Sequence, residues 1–210
     1  MTGTLALVDA GTASDLRTFV ARAAAADREG AMRLQAQGTV LAAYAAVLPG
    51  SGLAAEGLVM GLRTMRLAEP ADLDVTVSLG SLLDRFAHDQ GTRLAVPPTE
   101  VRAPWAGQSA PRAGWVPIGR VTSAELHDAA QAGIADVARG VGSGAGALAV
   151  AELRHAVWAR PMAAAEAEGI PSGLAFGAHA LGFLTGEAGT LHRCGRWLRL
   201  SVPVGHVLAR

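Results

Sequence analysis

The sequence predicts an α+β protein with an N-terminal antiparallel sheet and two helices, followed by three helices and a C-terminal β-hairpin. Three observations support this class. In the first half of the chain, several stretches alternate apolar and polar residues, as half-buried strands do. Turn-forming residues separate these stretches, and short turns join antiparallel strands. In the second half, apolar residues recur every three to four positions, which is the period of a helix.

The first half is predicted to begin with a short strand at 4–8. A helix follows, with Ser14 as its N-cap and Gly30 as its end. Further strands are expected at 32–37, 40–48, 58–67 and 74–78. Leu79 begins the second helix, which ends at Gly91.

Residues 97–120 are rich in proline and glycine and show neither period. Irregular segments of this length are uncommon inside compact domains, and they are usually functional or linker-like. The expected organisation is therefore an α+β sheet region at 1–96, a loop at 97–120 and a helical region with the hairpin at 121–210. The alternative is a single domain, in which the C-terminal strands join the first sheet.

The second half begins with a clear helix-start signal. Thr122 and Glu125 match a capping box, in which each side chain bonds the other residue's backbone N–H. Two more helices are predicted at 147–159 and 172–185. The hairpin is predicted from strands at 190–193 and 196–202, with a last short strand at 206–208.

Charge is balanced, with 18 basic residues, all of them arginine, and 18 acidic ones. A neutral chain lacks the long-range field that attracts nucleic acid or an anionic membrane, so both partners are disfavoured. No basic residue precedes Arg17, which disfavours a signal peptide, and the apolar runs are shorter than a membrane span. The expected location is the cytoplasm.

Aromatic residues make up only 4% of the chain, and alanine supplies much of its apolar content. Small side chains bury little area each, so the core must depend on close approach of the backbones. Helices with alanine and glycine faces suit such packing, either within the chain or across a two-fold axis. Homodimerisation is therefore left open.

No motif of known catalytic chemistry is found. The sequence has no Gly-x-Ser-x-Gly elbow and no histidine pair at i, i+4, and Cys194 is its single cysteine. The glycine-rich run at 140–146 follows a helix rather than a strand and lacks the phosphate-binding lysine, so it is interpreted as a linker. We expect no catalytic residue, no metal and no cofactor. A non-enzymatic protein is favoured over an enzyme with an unrecognised site that would use Ser109 or His179.

The candidate ligand-binding site lies in the loop at 102–115. Two indoles, an amide, a hydroxyl and two guanidiniums in one loop can stack on a flat or anionic ligand. The residues concerned are Arg102, Trp105, Gln108, Ser109, Arg112 and Trp115. The alternative is that both tryptophans only anchor the loop to the core. The predicted function is accordingly that of a cytoplasmic binding or interaction protein, with a small molecule or a protein as its partner.

A second reading concerns the C-terminal tail, which has no acidic residue after Glu187. Three helices followed by a hairpin is also the order of a winged helix, and Arg193, Arg196 and Arg199 could then contact phosphates. The predicted third helix holds no arginine, however. Simple alternation explains the tail as a solvated outer face, so nucleic-acid binding remains the less favoured alternative.

Six short segments together resemble a family of uncharacterised actinobacterial conserved proteins of unknown function. They are distributed over most of the chain, at 61–64, 82–85, 105–107, 111–115, 157–161 and 180–184. The resemblance implies a self-contained bacterial cytoplasmic protein. It implies no activity, cofactor or site residue.

Overall fold

The computed structural model describes residues 3–52, 54–89, 91–141, 146–162 and 169–210. Over these residues the chain forms five α-helices, one short 3-10 helix and eight strands, arranged in two sheets. The mixed α/β class predicted from the sequence is thereby confirmed. The chain divides into two compact units, Met1–Val47 with Leu62–Gln108 and Leu48–Gly61 with Ser109–Arg210.

The first unit begins with strand β1 and helix α1 and continues into two long strands, β2 and β3. Helix α2, strand β4 and the 3-10 helix complete it. The bounds are β1 Thr4–Ala6, α1 Ala10–Ala26, β2 Ala31–Ser51, β3 Glu56–Ser78, α2 Leu79–His88, β4 Arg93–Ala95 and the 3-10 helix Pro104–Gly107. β1 pairs antiparallel with β4 in a sheet of two strands, and α1 packs against α2.

Helix α1 begins about one turn before the predicted N-cap, Ser14. Its N-cap is Asp9, whose Oδ1 accepts a hydrogen bond of 2.7 Å from the backbone N–H of Thr12. This bond lowers the pKa of Asp9. The prediction of Ser14 was wrong because Asp9 is an equally good capping residue and the helical period extends back to it. The inner face of α1 buries Leu16, Phe19 and Val20.

Four strands predicted for the first half form only two in the structure. The predicted strands 32–37 and 40–48 are parts of β2, and 58–67 and 74–78 are parts of β3. β2 runs through Gly38, which adopts a φ of +58° that glycine tolerates, so the predicted break between 37 and 40 does not interrupt it. β3 likewise continues through Pro70. Both strands pass from the first unit into the second, which contains residues 48–51 of β2 and 56–61 of β3.

The second unit contains strands β5 to β8 and helices α3 to α5. Their bounds are β5 Val116–Thr122, α3 Ser123–Gly140, α4 Ala147–Trp158, α5 Gly173–Ala180, β6 Ala188–Cys194, β7 Trp197–Val202 and β8 Gly205–Ala209. The strand order of the larger sheet is β2-β3-β8-β7-β6-β5, and β5 to β8 pair antiparallel with their neighbours. Residues 142–145 of the glycine-rich run lie outside the described ranges.

β6 and β7, the strands of the predicted hairpin, pair antiparallel and lie inside a sheet with β5 on one side and β8 on the other. One expectation for this half needs correction. The segment 97–120 is not irregular throughout, because its last five residues belong to β5. Pro117 is accommodated there because β5 is an edge strand, where a missing backbone N–H costs no ladder bond.

The predicted start of α3 is confirmed. Thr122 Oγ1 accepts from the backbone N–H of Glu125, and Glu125 Oε2 accepts from the backbone N–H of Thr122. Helix α5 is shorter than the prediction of 172–185, since Gly182 adopts a φ of +69° and the chain leaves the helix before it. Trp158 at the end of α4 stacks on Phe176 of α5, with ring centroids 4.4 Å apart.

The buried face of the second sheet is apolar. Leu191 of β6, Leu200 of β7 and Val207 of β8 stand side by side in register, and all three are fully buried. The opposite face of these strands carries the polar side chains His192, Arg199, Ser201 and His206, together with the buried Trp197 and Leu208. Among the helices within the described ranges, none has both the length and the apolar character needed to cross a bilayer.

Candidate binding surface

The predicted loop divides between the two units after Gln108. In the first unit, Trp105 lies in the 3-10 helix and is only 5% exposed. The carbonyl of Ala106 accepts a hydrogen bond of 2.7 Å from Arg33 Nη1, and the backbone N–H of Val101 donates to the carbonyl of Thr76. Trp105 therefore anchors this part of the loop in the core of its unit.

Arg33 is itself held in place by Asp74. Its Nε and Nη2 donate to the two carboxylate oxygens of Asp74, both at 2.7 Å, and Gln35 Nε2 donates to Asp74 Oδ2 at 2.8 Å. The hydrogen bond to Asp74 raises the pKa of Arg33. Two fork-like bonds orient the guanidinium, which leaves Nη1 directed at Ala106. Sequence reasoning missed this pair, although alternation does place Arg33 and Gln35 on the outward face of their strand.

The other predicted residues of the first unit are less enclosed. Arg102 is exposed and Gln108 is half-buried. In the second unit, Ser109 and Arg112 are exposed. Arg102, Trp105 and Gln108 belong to the first unit, and Ser109, Arg112 and Trp115 belong to the second. The pocket of six residues expected from the sequence remains a prediction.

Trp115 is placed differently from Trp105. Its indole is partly exposed, and its Nε1–H donates to the carbonyl of Pro111 at 2.8 Å. The guanidinium of Arg199, on β7, lies 4.6 Å from the centroid of the indole. Cys194 Sγ lies 3.7 Å from the carbonyl of Ala113, so the chain around Trp115 is also tied to the end of β6.

The strand register defines the neighbours of Arg199 on the sheet. His192 of β6 stands directly opposite Arg199, and Ser201 of β7 stands directly opposite His206 of β8. Because alternate residues of a strand share a face, Arg199 and Ser201 point to the same side of the sheet. We call His192, Arg199, Ser201 and His206, together with Trp115 over Arg199, the Arg199 face.

The hydrogen bonds of the Arg199 face are incomplete. Arg199 Nε and His192 Nδ1 are enclosed and, in the part of the chain that the structure describes, have no hydrogen-bond partner. His206 Nδ1 lies 3.0 Å from Ser201 Oγ. A buried donor without an acceptor destabilises the fold, so such groups usually have a partner in the functional state.

The charge of this face is positive and lies on Arg199. Burial, and then the charges of Arg199 and His192, lower the pKa of His206. Burial also lowers the pKa of Arg199. None of the four strands β5 to β8, all of whose residues the structure describes, contains an aspartate or a glutamate. The face therefore presents positive charge without a carboxylate of its own.

The three arginines proposed for a winged helix do not form one surface. Arg193 stands opposite Leu198 and is exposed, Arg196 is exposed in the turn, and Arg199 is half-buried under Trp115. The hairpin is flanked by β5 and β8, whereas the wing of a winged helix projects from its domain. The order of elements is thus shared with that fold, but the placement of the charges is not.

The histidine singled out for an enzyme lies in a helix contact. His179 of α5 packs edge-on against His127 of α3, with ring centroids 5.4 Å apart. Within the ranges that the structure covers, no three histidine, cysteine or acidic residues are grouped to hold a metal ion.

Comparison with known families divides the chain near the middle of the loop. A family model described as a domain of unknown function, DUF8010, matches residues 1–107, and a second one, DUF8185, matches residues 110–210. No curated protein matches the sequence. The absence of an assigned function in both families agrees with the resemblance stated from the sequence.

Among solved structures, the fold is similar to that of the DNA polymerase sliding clamp from Caulobacter crescentus. The TM-score is 0.57 at 12% sequence identity, and the match covers 99% of this chain and 65% of the clamp chain. The chain thus spans just under two thirds of the length of that clamp. At this identity the similarity concerns the fold alone.

Proposed function

The chain belongs to DUF8010, a family of domains of unknown function, and we propose that it is a non-enzymatic binding protein. Its contact surface is the segment 109–115 together with the Arg199 face. One observation carries the proposal: the ring centroid of a partly exposed indole, Trp115, lies 4.6 Å from the guanidinium carbon of Arg199.

The contrast between the two loop tryptophans supports this assignment. Trp105 is buried, as an anchoring side chain should be. Trp115 keeps part of its ring in solvent, although its N–H is already bonded to Pro111. Tryptophan and arginine dominate the energetics of binding surfaces, and a preordered side chain loses little entropy when a partner arrives. The geometry of Trp115 fits that role.

The chemistry of this surface favours recognition over catalysis. The Cys194 thiol, its one strong nucleophile, has the carbonyl of Ala113 as its partner rather than a base. A thiol needs a neighbouring base or a lowered pKa to act as a nucleophile. We therefore assign Cys194 a structural contact and Trp115 the contact with the partner, which we propose is a small molecule.

The test is a thermal-shift screen of the full chain against a panel of anionic and aromatic metabolites. Trp115→Ala should abolish the shift caused by any compound that stabilises the wild type, because it removes the ring that faces solvent. Arg196→Gln, in the exposed turn of the same hairpin, is the control and should retain the shift. A panel without a single stabilising compound, or a shift that persists in Trp115→Ala, would contradict the proposal.

A further inference from the structure

We infer that the Arg199 face is an anion site that accepts a phosphate group. The inference rests on the proposed function, because it names the ligand class of the same surface. Its basis is the placement of three basic side chains on three adjacent strands, namely His192 on β6, Arg199 on β7 and His206 on β8.

The register brings these side chains within reach of one small anion. His192 and Arg199 are directly opposite, and side chains in that relation are roughly 5 Å apart at Cβ. His206 is opposite Ser201, so it is the diagonal neighbour of Arg199, at roughly 7–8 Å. The long arginine side chain spans such separations. A tetrahedral oxyanion can therefore accept from donors on all three strands.

The unsatisfied donors point to the same conclusion. Arg199 Nε and His192 Nδ1 are enclosed in the described structure without an acceptor, while both side chains remain partly exposed. A ligand can thus approach the exposed part of each side chain from solvent. Guanidinium groups bind oxyanions through two parallel N–H bonds, which gives the site geometric selectivity as well as charge.

The charge of the surroundings selects a strongly anionic ligand. The strands β5 to β8 and the segment 109–115 contain no acidic residue. A phosphate group carries about −1.5 to −2 charges at neutral pH, against −1 for a carboxylate.

Trp115 indicates how a larger phosphorylated molecule would be bound. Its exposed ring lies beside the guanidinium, so an aromatic group attached to the phosphate can pack on the indole. Inorganic phosphate uses only the charged residues. Phenyl phosphate, as a probe, uses both the charged residues and the indole.

The experiment is isothermal titration calorimetry of the full chain with inorganic phosphate, phenyl phosphate and acetate, in buffers matched with chloride for ionic strength. We expect saturable binding of both phosphates and binding of acetate at least tenfold weaker. Arg199→Gln should weaken phosphate at least tenfold, and Arg196→Gln should leave it unchanged. Trp115→Ala should weaken phenyl phosphate and spare inorganic phosphate.

Arg199→Gln removes the group that Trp115 packs on, so this variant could fail to fold. A second variant is therefore needed to test the site. His192→Gln keeps the strand pairing and should weaken phosphate several-fold. Equal affinity of wild type, Arg199→Gln and His192→Gln, or no saturable phosphate binding above the chloride control, overturns the inference. If phosphate does not bind but a compound of the metabolite panel binds in a Trp115-dependent way, only the ligand class is wrong. If neither phosphate nor any compound of the panel binds, the proposed function is wrong as well.

Discussion

The indole of Trp158 lies directly against the backbone of Gly133, where helices α4 and α3 meet. A Cβ atom at position 133 would overlap the ring, at only 2.5 Å from Cη2. The same indole stacks on Phe176 of α5, so it cannot move aside freely. A glycine at this point of α3 lets three helices of the second unit share one aromatic contact.

Gly133→Ala should therefore destabilise the protein. Alanine improves helix propensity by about 1 kcal/mol, but overpacking of a filled core costs about 1–3 kcal/mol. We expect a net loss of free energy of unfolding, measured by urea denaturation with circular dichroism. Gly80→Ala in α2 is the matched control, because a Cβ there meets nothing within 4 Å. An unfolding free energy of Gly133→Ala at or above that of the wild type would show that the ring is free to shift.

The capping box of α3 should contribute measurably to stability. Thr122→Ala removes the oxygen that accepts from the backbone N–H of Glu125, and loss of such a cap costs about 1 kcal/mol. The readout is the midpoint of thermal unfolding. Thr18→Ala is the control, since the hydroxyl of Thr18 only donates to the carbonyl of Ser14 inside α1. Equal losses in the two variants would argue against a specific capping role.

The lowered pKa of His206 predicts how stability depends on pH. Burial and the charges of Arg199 and His192 favour the neutral ring in the folded state, so the unfolded chain binds the proton more readily. The contribution of His206 to the free energy of unfolding is fully present above its ordinary pKa of about 6.5, and it decreases as the pH falls below that value. The pKa of Asp9 and that of Glu125 are also lowered, but these carboxylates titrate in a more acidic range.

The measurement for His206 is the unfolding midpoint between pH 5 and 8. The wild type should lose stability toward pH 5, and His206→Asn should show a flatter profile. His88→Asn, at an exposed position of α2, should retain the wild-type slope. Millimolar phosphate should reduce the slope of the wild type, because a bound anion favours the protonated ring. A steeper slope in His206→Asn would refute the assignment.

The Arg33–Asp74 pair should control access to the loop around Trp105. Asp74→Asn removes the carboxylate that orients Arg33 toward the carbonyl of Ala106. We expect trypsin to cleave after Arg102 several-fold faster in this variant, followed by mass spectrometry of the fragments. Asp72→Asn, on the same strand, is the matched control and should leave the cleavage rate unchanged. Identical rates in both variants would mean that the burial of Trp105 alone holds the loop.

Local signals in the sequence predicted local structure well. The start of α3 followed from Thr122 and Glu125, because a capping box is complete within four residues. Close packing of small residues within the chain is likewise confirmed, since a Cβ at Gly140 would meet Leu153 and one at Gly173 would meet Val59. Packing across a two-fold axis stays a prediction, which sedimentation equilibrium can decide.

Features that depend on distant partners were not predictable in the same way. β5 was missed because Pro117 and Gly119 interrupt its alternation, and only its position at a sheet edge makes them acceptable. The contact of Trp115 with Arg199 joins residues far apart in the chain through the pairing of β5, β6 and β7. The sequence could identify both side chains as unusual, but it could not bring them together.

Because β2 and β3 pass from one compact unit into the other, the two halves of the chain that the family models match cannot simply be expressed as separate fragments. A fragment limited to the DUF8185 match lacks Leu58 and Val59, both buried in the second unit. It also lacks the two main-chain bonds that join Gly57 and Leu58 to the C-terminal Arg210. The second unit therefore depends on residues encoded in the first half of the gene, and we expect a fragment that starts at residue 110 to be insoluble rather than a working module.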